Sequence, residues 1–135
     1  MTLRINVACD GDWEEPEVLF SGSVDALVDF GLALNSATEL NKYDLSLHNN
    51  EYYPASIKTL ILEPSKSGND RITVFIEEGY LRIVGSSVAL NKLGDSLLNF
   101  FDDNTSVGEH FQLDYYEGNK VLNETKCLLI FMCDR

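Results

Sequence analysis

The chain has 135 residues, 44% of them hydrophobic, and its 22 acids outnumber its 10 bases to give a formal net charge of −12. That length and apolar content suit one compact domain, residues 1–135, with a core of its own. The charge argues against nucleic acid and against anionic membranes, whose phosphates it would repel, and no apolar run approaches the ~20 residues that cross a bilayer.

Leu3 to Ala8 alternates apolar and polar residues and predicts a half-buried strand, with Leu3, Ile5 and Val7 on its inner face. Asp10-Gly11-Asp12 is turn chemistry, and Glu17 to Ser21 predicts a returning strand. The two make a hairpin whose loop carries Asp10, Asp12, Glu14, Glu15 and Glu17 around Trp13, the single tryptophan. Ser23 then caps a helix, and Asp25 in the first turn complements its dipole. The helix has a wide apolar face made by Val24, Leu27, Val28, Phe30, Leu32 and Leu34, and it ends near Asn35-Ser36. Gly31 lowers helix propensity by roughly 1 kcal/mol against alanine, which predicts close approach to strands below. Asp44 to Tyr53 predicts a third strand containing His48, and Ile57 to Leu62 a fourth.

Residues 63–70 are the single stretch of linker composition, and the same order of elements begins again after them. Strands are predicted over Arg71 to Ile76 and Tyr80 to Val84. A helix capped by Ser86 or Ser87 follows, and Asp102-Asp103-Asn104 breaks it. The last two strands are His110 to Tyr116 and Lys126 to Cys133, the final one apolar enough to be covered on both faces.

The two halves also match residue by residue. At an offset of 63, Gly22, Ser23, Ala26, Leu27, Gly31 and Leu34 fall on Gly85, Ser86, Ala89, Leu90, Gly94 and Leu97. The same offset sets Glu51-Tyr52-Tyr53 on Asp114-Tyr115-Tyr116. Arg4 to Val7 falls on Arg71 to Val74 at 67, and Leu60-Ile61-Leu62 on Leu128-Leu129-Ile130 at 68. The expected fold class is therefore α+β. It is a tandem duplication of a ββαββ unit, with pseudo-repeats 1–66 and 70–135, about eight mostly antiparallel strands and two helices, related by a pseudo-twofold.

Cofactor and metal chemistry find little footing. Cys9, Cys127 and Cys133 form no CxxC pair, and with His48 and His110 they have no zinc-ligand spacing. They read as buried, reduced thiols. Asp10-x-Asp12 lacks the rest of a calcium loop, including its closing glutamate. There is no GxSxG, P-loop or GxGxxG, so no catalytic residue, metal or cofactor is expected, and the chain does not read as an enzyme. Met1 to Val7 has no apolar stretch of a secretory signal, so the expected location is cytoplasmic.

Binding has two candidate surfaces. One is the acidic hairpin, where Asp10, Asp12, Glu14 and Glu15 ring Trp13; carboxylates steer a basic partner and an aromatic anchors it. The plainer reading is a solvated loop whose tryptophan folds back onto the sheet. The other is Asp114, Tyr116 and Glu117 at the end of the predicted strand, which also reads as a strand end with tyrosines covering the core edge. The segment Asp114-Tyr115-Tyr116-Glu117-Gly118-Asn119, then Leu122 and the apolar run Leu128 to Phe131, resembles the C-terminal signature of bacterial polymorphic-toxin immunity proteins, in particular the family numbered thirty-two among predicted immunity proteins. The resemblance covers about the last 30 residues, and His110 departs from it by lying further from the aspartate. It implies an α+β protein that binds and neutralises a cognate toxin, a basic protein partner whose active site an acidic surface would occlude. The alternative is a homodimeric structural or regulatory module that joins through free sheet edges.

Overall fold

The structure is a computed structural model that describes residues 1–47, 50–66, 70–77, 79–114 and 127–135. Among these residues it has two helices and nine strands in two mixed sheets: an α+β fold. The first half supplies β1 (Asn6–Cys9), β2 (Glu17–Gly22), α1 (Val24–Asn35), β3 (Asn41–Asp44), β4 (Ala55–Ser56) and β5 (Thr59–Pro64). The second supplies β6 (Thr73–Glu77), β7 (Tyr80–Gly85), α2 (Ser87–Phe100), β8 (His110–Leu113) and β9 (Leu128–Cys133).

The helices begin where short-range chemistry dictates. Ser23 and Ser86 both take extended backbone angles, and each hydroxyl accepts the amide of the residue three further on, Ala26 or Ala89, at 3.1 Å. This satisfies an amide that the helix cannot. Ser36 closes α1 by donating its hydroxyl to the Leu32 carbonyl at 2.9 Å.

Neither half builds a sheet from its own strands. The five-stranded sheet runs β4-β1-β2-β9-β8 and the four-stranded one β3-β5-β7-β6. Each joins the leading hairpin of one half to trailing strands of the other. Both junctions are parallel: Glu17 to Gly22 lies beside Leu128 to Cys133, and Thr59 to Pro64 beside Tyr80 to Gly85. Among the described residues the strands number nine against the eight or so expected, and five of the seven pairings are antiparallel, as expected; the two central, parallel pairs were not foreseen. An antiparallel reading follows from short hairpin loops, but the central pairs join strands from different halves, and for these loop length fixes no direction.

The pairings also correct individual elements. Leu60 pairs with Leu81 and Leu129 with Val18, so Leu60 and Leu129 take like places beside β7 and β2, one residue out of step with the sequence match at 68. Of the predicted strand over 44–53, Asp44 ends β3 and the other described residues, 45–47 and 50–53, form no strand. Its polar turn wins, because the Asn50 side chain accepts the amides of Tyr52 and Tyr53, both at 2.9 Å. Glu51-Tyr52-Tyr53 is thus a turn; of its match Asp114-Tyr115-Tyr116, residues 115 and 116 lie outside the described residues, as does His48. Asn6 is buried, so β1 is covered on both faces and not half-buried. β9 is the reverse: Leu129, Phe131 and Cys133 are buried, but Leu128, Ile130 and Met132 are only partly covered.

One hydrophobic core draws on both sheets and both helices. On the five-stranded sheet, Phe20 and Phe131 stack with ring centroids 4.7 Å apart, α1 adds Phe30 at 5.6 Å from Phe20, and Phe111 of β8 stacks on Phe131 at 4.9 Å. Offset aromatic stacking adds about 1 kcal/mol per pair to simple burial. The three cysteines are buried and form no disulfide among the described residues.

The close approach predicted at Gly31 exists, but to the other helix and not to a strand. A Cβ on Gly31 would lie 3.1 Å from the Gly94 carbonyl, and one on Gly94 only 2.6 Å from the Gly31 carbonyl and 2.4 Å from Asn35 Oδ1. The helices cross backbone to backbone. Replacing Gly94 by alanine should therefore destabilise by about 1–3 kcal/mol through overpacking, against the roughly 1 kcal/mol gain that alanine gives an exposed helix. Urea denaturation checks this, and a midpoint equal to or above wild type would contradict the crossing.

Candidate functional site

The acidic hairpin is a built structure. Gly11 takes a positive φ of 89°, which lets the chain reverse. Asp10 Oδ1 then accepts the amides of Asp12 at 3.0 Å and Glu17 at 3.3 Å, and Asp12 Oδ1 accepts those of Glu14 at 3.1 Å and Glu15 at 3.2 Å. Short acids that bond their own backbone two or three residues on are typical turn formers. Asp10 and Asp12 thus shape the loop, and Glu14 and Glu15 are left exposed. Trp13 between them is 43% exposed, so it has not folded into the core.

Strand pairing carries other groups to this end of the molecule. Cys9, Val18, Leu129 and Leu113 form one row across β1, β2, β9 and β8. Asp114, one residue past that row and exposed, therefore sits on the same sheet end as Asp10 and Glu17. Three strand spacings put it about 14 Å from β1. β4 pairs Ala55 with Cys9, which brings the Glu51–Tyr53 turn beside the hairpin. There Tyr52 is 76% exposed, and the Tyr53 phenol lies near the Glu17 carboxylate. Tyr116 and Glu117, the other two expected binding residues, lie outside the described residues.

The four-stranded sheet closes the other side. The amides of Lys58 and Thr59 both donate to the Gly79 carbonyl, at 2.9 and 3.2 Å. That ties the entry of β5 to the β6–β7 turn. Between this turn and the hairpin lies an open groove of about 430 Å³, lined by Trp13, Ala55, Ser56, Lys58, Gly79 and Tyr80. Tyr80 also borders a shallower depression of about 140 Å³ on the outer sheet face, with Ile61, Phe75, Glu77 and Arg82. The Arg82 guanidinium stands 4.6 Å above the Phe75 ring. Sequence reading missed Tyr80, Lys58 and Tyr52 as surface residues. The signal for Tyr80 was the alternation of β7, which sends Leu81 and Ile83 inward and Tyr80 and Arg82 outward.

Titratable groups here are few. Burial pushes the Cys9 thiol up to about 11 from its ordinary 9.0, and the adjacent Asp10 carboxylate reinforces the rise. Burial, then Glu17, raises the Tyr53 phenol. His110 lies exposed on edge strand β8 with Nδ1 3.1 Å from the Gly108 carbonyl. Among the described residues no group of three or more His, Cys, Asp or Glu is arranged to hold a metal, and no helix is long and apolar enough to cross a membrane. No family model, curated protein or solved structure matches the chain.

The raised thiol and phenol set a pH dependence. Both groups hold their protons more tightly folded than unfolded. The stability Cys9 contributes is fully present below its ordinary 9.0 and is lost as pH rises through about 11; that from Tyr53 is present below its ordinary 10.0 and is lost as pH rises above it. Melting temperature should fall between pH 9 and 11, less steeply in Cys9→Ala. A flat profile over that range would contradict the burial of both groups.

Proposed function

We propose that this chain is a binding protein whose acidic, aromatic end covers a basic protein partner, and that the partner is a cognate toxin, as the resemblance at Asp114 to Asn119 implies. One observation carries the reading: the topology collects the Trp13 hairpin, the Glu51–Tyr53 turn and Asp114 at one sheet end. The exposed carboxylates of Asp12, Glu14, Glu15, Glu51 and Asp114 steer a cationic surface, and exposed Trp13 and Tyr52 supply the aromatic contacts that anchor interfaces. Activity would be blocked by occlusion, with this end lying over a basic active-site cleft in the cytoplasm. A homodimer through the same end is disfavoured, since two chains of charge −12 repel each other. Catalysis is disfavoured because His110, the histidine among the described residues, is exposed and turns its Nδ1 to the Gly108 carbonyl.

We also infer that the chain arose by duplication of a ββαββ unit. The paired Ser23/Ser86 caps, the Gly31/Gly94 crossing and the equal registers of the two parallel junctions support it. In this reading each unit lends its trailing strands to the other.

The test of function is co-expression with the product of the adjacent gene. That product should arrest growth alone, and this chain should restore growth and co-purify with it. Trp13→Ala should weaken the complex by on the order of 2 kcal/mol with no change in melting temperature. Glu14→Gln with Glu15→Gln should slow association at low salt, with the deficit fading as salt rises. A harmless neighbour that does not co-purify would refute the toxin reading, and unfolding by Trp13→Ala would remove the hairpin from the interface.

A further inference from the structure

The groove between the two sheets specifies what the partner inserts. We propose that it receives an arginine side chain from the basic partner, stacked against Trp13 and Tyr80; this rests on the reading of the acidic end as a docking surface. The groove is bounded by the Trp13 hairpin on one side and by Gly79 and Tyr80 on the other, with Ala55, Ser56 and Lys58 between. Its volume of about 430 Å³ admits one or two side chains but no folded element. Trp13 and Tyr80 are 43% and 53% exposed, so each ring still has a free face.

Charge selects the occupant. Asp12, Glu14 and Glu15 flank Trp13, and Glu77 borders the depression that shares Tyr80. Against these four acids stand Lys58 on the groove and Arg82, whose guanidinium already lies over Phe75. The lining itself carries one charge, that of Lys58, but the residues flanking Trp13 and Tyr80 are net negative, as is the whole chain. Tryptophan is the strongest aromatic partner for a cation, and the planar guanidinium stacks on a ring while its edge donors remain free for carboxylates. The surface makes one such pair internally: Arg82 over Phe75, one strand from Tyr80's own outward row.

Trp13 is the only tryptophan, so its fluorescence reports on the groove alone. The intact chain is titrated at low salt with tetra-arginine, tetra-lysine and tetra-glutamate peptides. Tetra-arginine should change the Trp13 emission saturably and bind more tightly than tetra-lysine, and tetra-glutamate should not bind. Tyr80→Ala should weaken tetra-arginine about fivefold with melting temperature unchanged. Tetra-arginine binding that Tyr80→Ala leaves intact would overturn the groove while sparing the acidic docking surface. If no basic peptide alters either the emission or the amide chemical shifts of residues 10–17, both fail. Saturable binding of tetra-glutamate would assign the groove to an anion at Lys58 and overturn the proposal.

Discussion

The backbone contact between Gly31 and Gly94 is the constraint on which the rest of the molecule depends. Each helix is anchored at its start to its own hairpin, α1 through Gly22 and Ala26, α2 through Gly85 and Ala89. Two helices whose backbones meet at a pair of glycines fix the separation of those hairpins, and so of the two sheets. The buried Asn35 Oδ1 has no hydrogen-bond partner there, while its amide nitrogen donates to Asp95 at 3.3 Å. An unsatisfied buried carbonyl carries a free-energy cost, and its retention at the crossing marks how little space the contact leaves.

Strand exchange follows from that spacing. The hairpin β1–β2 would leave the edge of β2 open, and β9 covers it; β5 covers β7 in the same way. Open edges invite pairing with other chains, and here the two halves meet that need reciprocally. The halves are consequently held by two parallel junctions, the helix crossing and one common core. The groove beside Trp13 is a by-product of the same arrangement, because it lies where the turn of one sheet faces the hairpin of the other.

The surface chemistry at that end divides into groups that build and groups left free. Asp10, Asp12 and Asn50 bond to nearby amides and give the two turns their shape. Tyr53 of one turn lies near Glu17 at the foot of the other. Glu14, Glu15, Trp13 and Tyr52 are then presented to solvent by a preorganised backbone. Preorganisation lowers the entropic cost of binding, which separates this end from an ordinary solvated acidic loop.

Local sequence determined what local physics can encode. Ser23 and Ser86 stood at their caps, Leu81 and Ile83 alternated inward against Tyr80 and Arg82, and the buried thiols were legible because each signal acts within a few residues. The Asn50 turn was also local, but the apolar spacing of Leu45 and Leu47 masked it and suggested a strand. Tertiary structure alone decided the partners. Glu17 and Leu128 are more than a hundred residues apart, and no period or cap in either strand names the other. The same holds for Gly31, whose lack of a side chain announced a close contact but not with what. It holds equally for Trp13 and Tyr80, which share a groove only because two sheets from interleaved halves end side by side. Periodicity fixes which face of an element is buried; which element buries it is settled by the packing of the whole chain.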